Sequence, residues 1–125
     1  MKTPVLILAY KRPDHLKRCI EKLIQADCQN IYASVDGPIE EGIERNKLVR
    51  QEVLGLGNRL KNHQFLTDHL GSKKAVRRGI DWFFSQVDEG IIVEEDVLIS
   101  DIGLDFLSEG LKHFRANQKM FMLGA

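Results

Sequence analysis

Pro4-Val5-Leu6-Ile7-Leu8-Ala9 is an unbroken apolar run, closed by Tyr10-Lys11-Arg12-Pro13-Asp14. An apolar stretch without alternation predicts a strand buried on both faces, as in the interior of a parallel sheet. Pro13 and Asp14 then predict a helix start, with Leu16, Cys19, Ile20, Leu23 and Ile24 along one helical face. The same alternation repeats down the chain. Ile31-Tyr32-Ala33-Ser34-Val35 reads as a second strand ending at Asp36-Gly37-Pro38, and a helix follows over roughly 40–54, with Val49 and Val53 on its apolar face. His63-Gln64-Phe65-Leu66 is a short third strand. Gly71-Ser72 opens a further helix, with Ser72 as the expected N-cap and Val76, Gly79, Ile80, Phe83, Phe84 and Val87 at helical spacing. A strand over 91–94, a helix over about 101–116 carrying Leu104, Leu107, Leu111 and Phe114, and a strand beginning at Met120-Phe121-Met122-Leu123 complete the pattern. Strands alternating with helices predict an α/β fold, a Rossmann-like and mostly parallel sheet with helices on both faces.

The chain has 125 residues, 43% hydrophobic and 29% charged, with a formal net charge of zero. That is one domain with enough apolar residues for a core. Zero net charge argues against nucleic acid or a polybasic membrane surface chosen by bulk charge. Cys19 and Cys28 have neither metal spacing nor a C-x-x-C pattern, and two such thiols fit a reducing cytoplasm. Cys19 lies on the apolar face of its helix and reads as core packing. The early apolar run is too short to span a membrane, and no signal peptide is visible.

In a parallel α/β sheet, ligands sit beyond the carboxyl ends of the strands. Those ends here carry Tyr10-Lys11-Arg12, Asp36-Gly37 and Glu94-Glu95-Asp96. Three consecutive acids at a buried strand end repel one another unless something compensates them. A divalent cation with a taste for hard oxygen ligands, Mg²⁺ or Mn²⁺, is one remedy, and a solvated turn is the other. Arg12 can clamp a phosphate or lie solvated on the surface. Asp36 can accept from a nucleobase N–H or a ribose hydroxyl, or simply form the turn. Lys73 stands in the first turn of a helix, where a cation opposes the helix dipole and a nearby anion would relieve it. The alternative is a solvated basic face with Lys74, Arg77 and Arg78. His15, His63, His69 and His113 have no metal spacing and read as structural or surface residues, and Trp82 reads as packing. No G-x-x-x-x-G-K-[ST], no G-x-G-x-x-G after the first strand and no G-x-S-x-G occurs. Basic groups for a pyrophosphate, an acid for a nucleoside and acids for a metal together fit a nucleotide-sugar.

These stretches resemble the donor half of GT-A fold glycosyltransferases. The resemblance lies in Val5–Pro13, Ser34-Val35-Asp36-Gly37, Leu70-Gly71-Ser72-Lys73 and Ile92-Val93-Glu94-Glu95-Asp96, and it points toward N-acetylglucosaminyltransferase I-like enzymes and related bacterial sugar transferases. It covers nearly the whole chain, in order. It implies a metal-dependent enzyme with a nucleotide-diphospho-sugar donor, a UDP-sugar foremost, and a glycan or other acceptor. It implies that Asp96 ligates Mn²⁺, that Glu94 supports the metal through water, and that Glu95 stands near the ribose. It implies that Arg12 faces the phosphates and that Asp36 faces the uracil. Relatives usually carry Asp where this chain has Glu95. The acceptor half and its catalytic base have no counterpart, so no catalytic base is named, and an uncovered sheet edge would favour self-association. Two other readings stand beside it: a non-catalytic nucleotide-sugar-binding domain, and a receiver-like signalling domain of similar layout. The basic Tyr10-Lys11-Arg12 argues against the latter.

Overall fold

The computed structural model describes residues 1–96, Glu109 and residues 121–123, the last three as backbone. Strands and helices alternate, and those with described bounds are β1 (Val5–Ala9), α1 (Pro13–Gln25), β2 (Ile31–Val35), α2 (Ile43–Leu54), β3 (Leu60–Phe65), α3 (Ser72–Phe84), β4 (Ile91–Glu94) and β5 (Phe121–Leu123). A 3₁₀ turn, Glu40–Gly42, leads into α2, and another, Gly57–Arg59, leads into β3. The strands form one sheet in the order β3-β2-β1-β4-β5. Every neighbouring pair runs parallel. The fold is therefore the α/β, Rossmann-like arrangement that the alternation predicts. Apart from Glu109, the helix expected over 101–116 lies outside the described residues.

The pleat divides the core. Val5, Ile7 and Ala9 of β1, with Ile31, Ala33 and Val35 of β2 and Ile91 and Val93 of β4, face α1 and α2, where Leu16, Cys19, Leu23, Val49 and Val53 meet them. Leu6, Leu8 and Ile92 face the other way, against Phe83, Val76 and Ile80 of α3. All five residues of β1 are buried, which is why its sequence shows no alternation. Trp82 packs at the margin of the second cluster, as read from the sequence. α3 crosses β1 and β2 very closely at Gly79, where a Cβ would lie 2.6 Å from a Leu8 methyl and 3.1 Å from the Ser34 Cβ.

Two local readings are corrected. Ser72 is the first residue of α3 and not its cap; the N-cap is Gly71 at φ 87°, a left-handed conformation that glycine tolerates. Ile24 does not share the buried face of α1 and is 41% exposed.

Cys19 is fully buried in the larger cluster. Burial, with smaller contributions from Cys28 and Glu95, pushes its thiol up from 9.0 to about 12. Because the thiolate is the reactive species, Cys19 in the native protein should resist iodoacetamide at pH 8.5 and react fully after unfolding in urea. The sign of the linkage follows from the raised value. The stabilisation from burying the neutral thiol is complete below pH 9.0 and is lost progressively as pH rises toward about 12. Rapid native-state alkylation, read by mass spectrometry, would contradict this placement.

Candidate functional site

The carboxyl ends of β2, β1 and β4 lie side by side because of register. Leu8 pairs with Ser34 on one side and with Glu94 on the other, so the three side chains form one row across the sheet. That row floors a cleft of about 350 Å³, also lined by Ala9, Tyr10, Asp36, His69, Glu95 and Asp96. Ser72, Ala75 and Val76, in the first turns of α3, form a wall. The cleft opens where β1 is flanked by β2 and β4, so the strand order reverses there. In open α/β sheets this switch point is the place where two connections leave in opposite directions and part the loops.

The three acids are sorted by what their carboxylates meet. Glu94 is half-buried and Asp96 exposed, and among the described residues neither forms a hydrogen bond or ion pair through its carboxylate. Glu95 is 8% exposed and turns into the β1–α1 loop. One of its oxygens accepts from the Tyr10 N–H at 2.9 Å and the Arg12 N–H at 3.3 Å, and the other accepts from the Lys11 N–H at 3.3 Å. Three successive backbone donors around one carboxylate form an anion nest. The Glu95 backbone N–H in turn donates to the Leu8 carbonyl at 2.9 Å, prolonging the β1–β4 pairing. The charge crowding at residues 94–96 is therefore relieved for Glu95 by backbone dipoles, while Glu94 and Asp96 carry their charge into the cleft.

Asp36 is 4% exposed and its two oxygens accept from three backbone donors. Oδ1 accepts from the Gly37 N–H at 2.8 Å and the Leu70 N–H at 2.9 Å, and Oδ2 accepts from the Gly71 N–H at 3.1 Å. His69 Nδ1 stands 3.2 Å from Oδ2. The carboxylate thus binds the end of β2 to the β3–α3 loop and supplies a negative charge at the N-terminus of α3, where the helix dipole favours one. Gly37 makes the approach possible, since a Cβ there would fall 2.4 Å from the Asp68 carbonyl oxygen.

His69 also binds through Nδ1 to the Gly37 carbonyl at 2.9 Å. Its ring lies against Tyr10, centroids 5.0 Å apart, and Lys11 Nζ stands over the Tyr10 ring, 5.6 Å from its centroid. The Tyr10 hydroxyl is buried without a hydrogen-bond partner among the described residues.

Asn46 holds the strand ends from below. Its amide donates to the Tyr10 carbonyl and to the Asp36 carbonyl, both at 2.8 Å, and it is 2% exposed. Its oxygen accepts from Arg50 Nε at 2.8 Å, and Arg50 also donates to the Leu66 carbonyl at 2.7 Å. One helix face thereby fixes the ends of β1, β2 and β3 relative to one another.

Of the residues singled out in the sequence, Asp36, Glu94, Glu95 and Asp96 line the cleft, and Arg12 and Lys73 do not. Arg12 is exposed on a separate depression with Lys11, His15 and Arg45. Lys73 is exposed on a shallow groove with Arg77 and Asp81 that shares Val76 with the cleft wall. His69, Asn46 and Tyr10 were not signalled as site residues. Asn46 was findable, because it stands three and seven residues before Val49 and Val53, on the same helical face. His69 was not, because its partner Asp36 is 33 positions away in sequence. Among the described residues no helix is long and apolar enough to cross a membrane. No family model matches the chain, and neither a curated protein nor a solved structure matches it.

Proposed function

We propose that this chain binds a nucleotide-diphospho-sugar in the cleft at the β1–β4 switch point and serves a metal-dependent glycosyltransferase. The observation that carries the reading is the pair of carboxylates, Glu94 and Asp96, open to that cleft without a protein partner among the described residues. Two acids lining one cleft suit a hard divalent cation, Mg²⁺ or Mn²⁺. Among the described residues no three metal-ligating side chains gather. A cation held by two carboxylates fills its remaining positions with water and substrate phosphate oxygens, which is the habit of Mg²⁺ in phosphate-handling sites. When bound, such a cation offsets the charge of a departing nucleoside diphosphate.

The roles of the other residues follow their surroundings. Asp36 and Glu95 act through the backbone, fixing the loops that border the cleft. Lys73 stands on the groove adjoining the cleft, where a diphosphate projecting outward would meet it. Arg12 is exposed on a depression separate from the cleft. The receiver-like reading loses support from topology. Receivers use the strand order 2-1-3-4-5, whereas β1 here is flanked by β2 and β4.

Calorimetric titration with UDP-sugars in Mn²⁺ and in EDTA tests the reading. Binding is expected in Mn²⁺ and should weaken at least about tenfold, or 1.4 kcal/mol, in Asp96→Ala. In EDTA the variant and the parent should bind alike. Parent binding that ignores both chelator and Asp96→Ala would remove the cation from the proposal, and absence of any binding would remove the donor.

A further inference from the structure

We propose that His69 is the proton acceptor of this cleft, an assignment that rests on the donor-binding reading above. The tautomer is fixed by geometry. A carbonyl oxygen can only accept, so the 2.9 Å contact between His69 Nδ1 and the Gly37 carbonyl places the proton on Nδ1. The buried Asp36 carboxylate, 3.2 Å from the same nitrogen, favours the same arrangement. In the neutral ring the lone pair therefore belongs to Nε2. Among the described residues Nε2 has no hydrogen-bond partner, and the ring is one of the groups lining the cleft.

The orientation is held at three points. Asp36 cannot turn away, because the Gly37, Leu70 and Gly71 N–H groups also hold it. The Gly37 carbonyl fixes the in-plane direction, and the Tyr10 ring, 5.0 Å away, limits tilting. An imidazole oriented through Nδ1 by a carbonyl, with a buried carboxylate 3.2 Å away to stabilise the imidazolium formed when Nε2 takes a proton, can act as a general base. Here the step is attack by a hydroxyl on the anomeric carbon of the bound donor. The O–H bond breaks with its proton passing to Nε2, the new C–O bond forms, and the bond to the phosphate oxygen breaks with its electron pair leaving on the nucleoside diphosphate. Water serves as the simplest acceptor, so hydrolysis of the donor reports the step. Asp36 is then a positioning residue, touching the base and not the substrate.

The test uses the full chain with UDP-sugars and Mn²⁺, measuring donor binding by calorimetry and donor hydrolysis by nucleotide release. His69→Ala should bind donor within about threefold of the parent and hydrolyse it at least about a hundredfold more slowly, the range expected for loss of a general base. Added imidazole should restore part of the rate in His69→Ala, an outcome that a purely structural role would not give. Equal thermal unfolding of parent and variant checks the fold, with His69→Gln as the second variant if alanine loosens the loop. Hydrolysis by both variants within threefold of the parent overturns the assignment. So does donor binding by a parent that shows no hydrolysis, and so does loss of binding and hydrolysis together, which makes His69 a binding group. If the parent binds no nucleotide-sugar, the donor reading itself fails and the assignment fails with it.

Discussion

Replacing Asp36 by alanine should cost about 3–5 kcal/mol of folding stability, because it strands two backbone donors in the β3–α3 loop and a third at Gly37, at roughly 1–3 kcal/mol for each buried group left unpaired. The native state has only about 5–15 kcal/mol to lose in total. Part of the loss is recovered, since a 4% exposed charge no longer has to be desolvated. The balance still favours the carboxylate, since all three backbone bonds are 3.1 Å or shorter and charge-assisted. Asp36→Asn keeps the shape and one acceptor oxygen but turns an amide N–H₂ toward the Gly71 N–H and His69 Nδ1. It should fall between the parent and the alanine variant. Urea denaturation at pH 7 measures both losses, and hydrogen exchange of the Leu70 and Gly71 amides should quicken in both variants. A loss below about 1 kcal/mol for Asp36→Ala would mean that the loop is held by other contacts.

Asn46→Leu should cost about 2–4 kcal/mol, for a different reason. The side chain is nearly isosteric and its site is 2% exposed, so no large cavity opens. What disappears is the pair of amide donors serving the Tyr10 and Asp36 carbonyls, together with the acceptor for Arg50 Nε. Two buried carbonyls without a donor, partly offset by added apolar burial, give that magnitude. Asn46→Asp is the informative partner. Its oxygens satisfy Arg50 but confront both carbonyls with acceptors, so it should be no more stable than the leucine variant. Equal stability of Asn46→Leu and the parent would show that the three strand ends are positioned without this side chain.

The fold was legible because its strands lie inside a sheet. β1, β2 and β4 are buried on both faces, and that condition writes itself directly as Val5–Ala9, Ile31–Val35 and Ile91–Val93. α1 and α3 were legible because each presents one apolar stripe to the sheet. β3 was shortened in the reading to residues 63–66, since Lys61 and Asn62 at its start are exposed and give no apolar signal. The start of α2 was obscure because its buried face includes Asn46, whose polarity hides the periodicity that Val49 and Val53 show.

The amino-acid sequence by itself determined the alternating parallel architecture, the edge of the sheet where polar residues converge, and the acids at 94–96 as that edge's densest charge. Those are consequences of local pattern: apolar runs, helical spacing, and polar residues where a strand must stop. The tertiary structure alone decided which charges are free. Pleat and register aim Glu94 into the cleft, while the β1–α1 loop captures Glu95 with three N–H groups. The β3–α3 loop captures Asp36 in the same way, and that capture in turn aims His69. A carboxylate's role depends on which donors reach it, and backbone donors carry no mark in the sequence. The fold, by bringing residues 33 or 85 positions apart into close range, assigns some acids to the scaffold and leaves others open to the cleft.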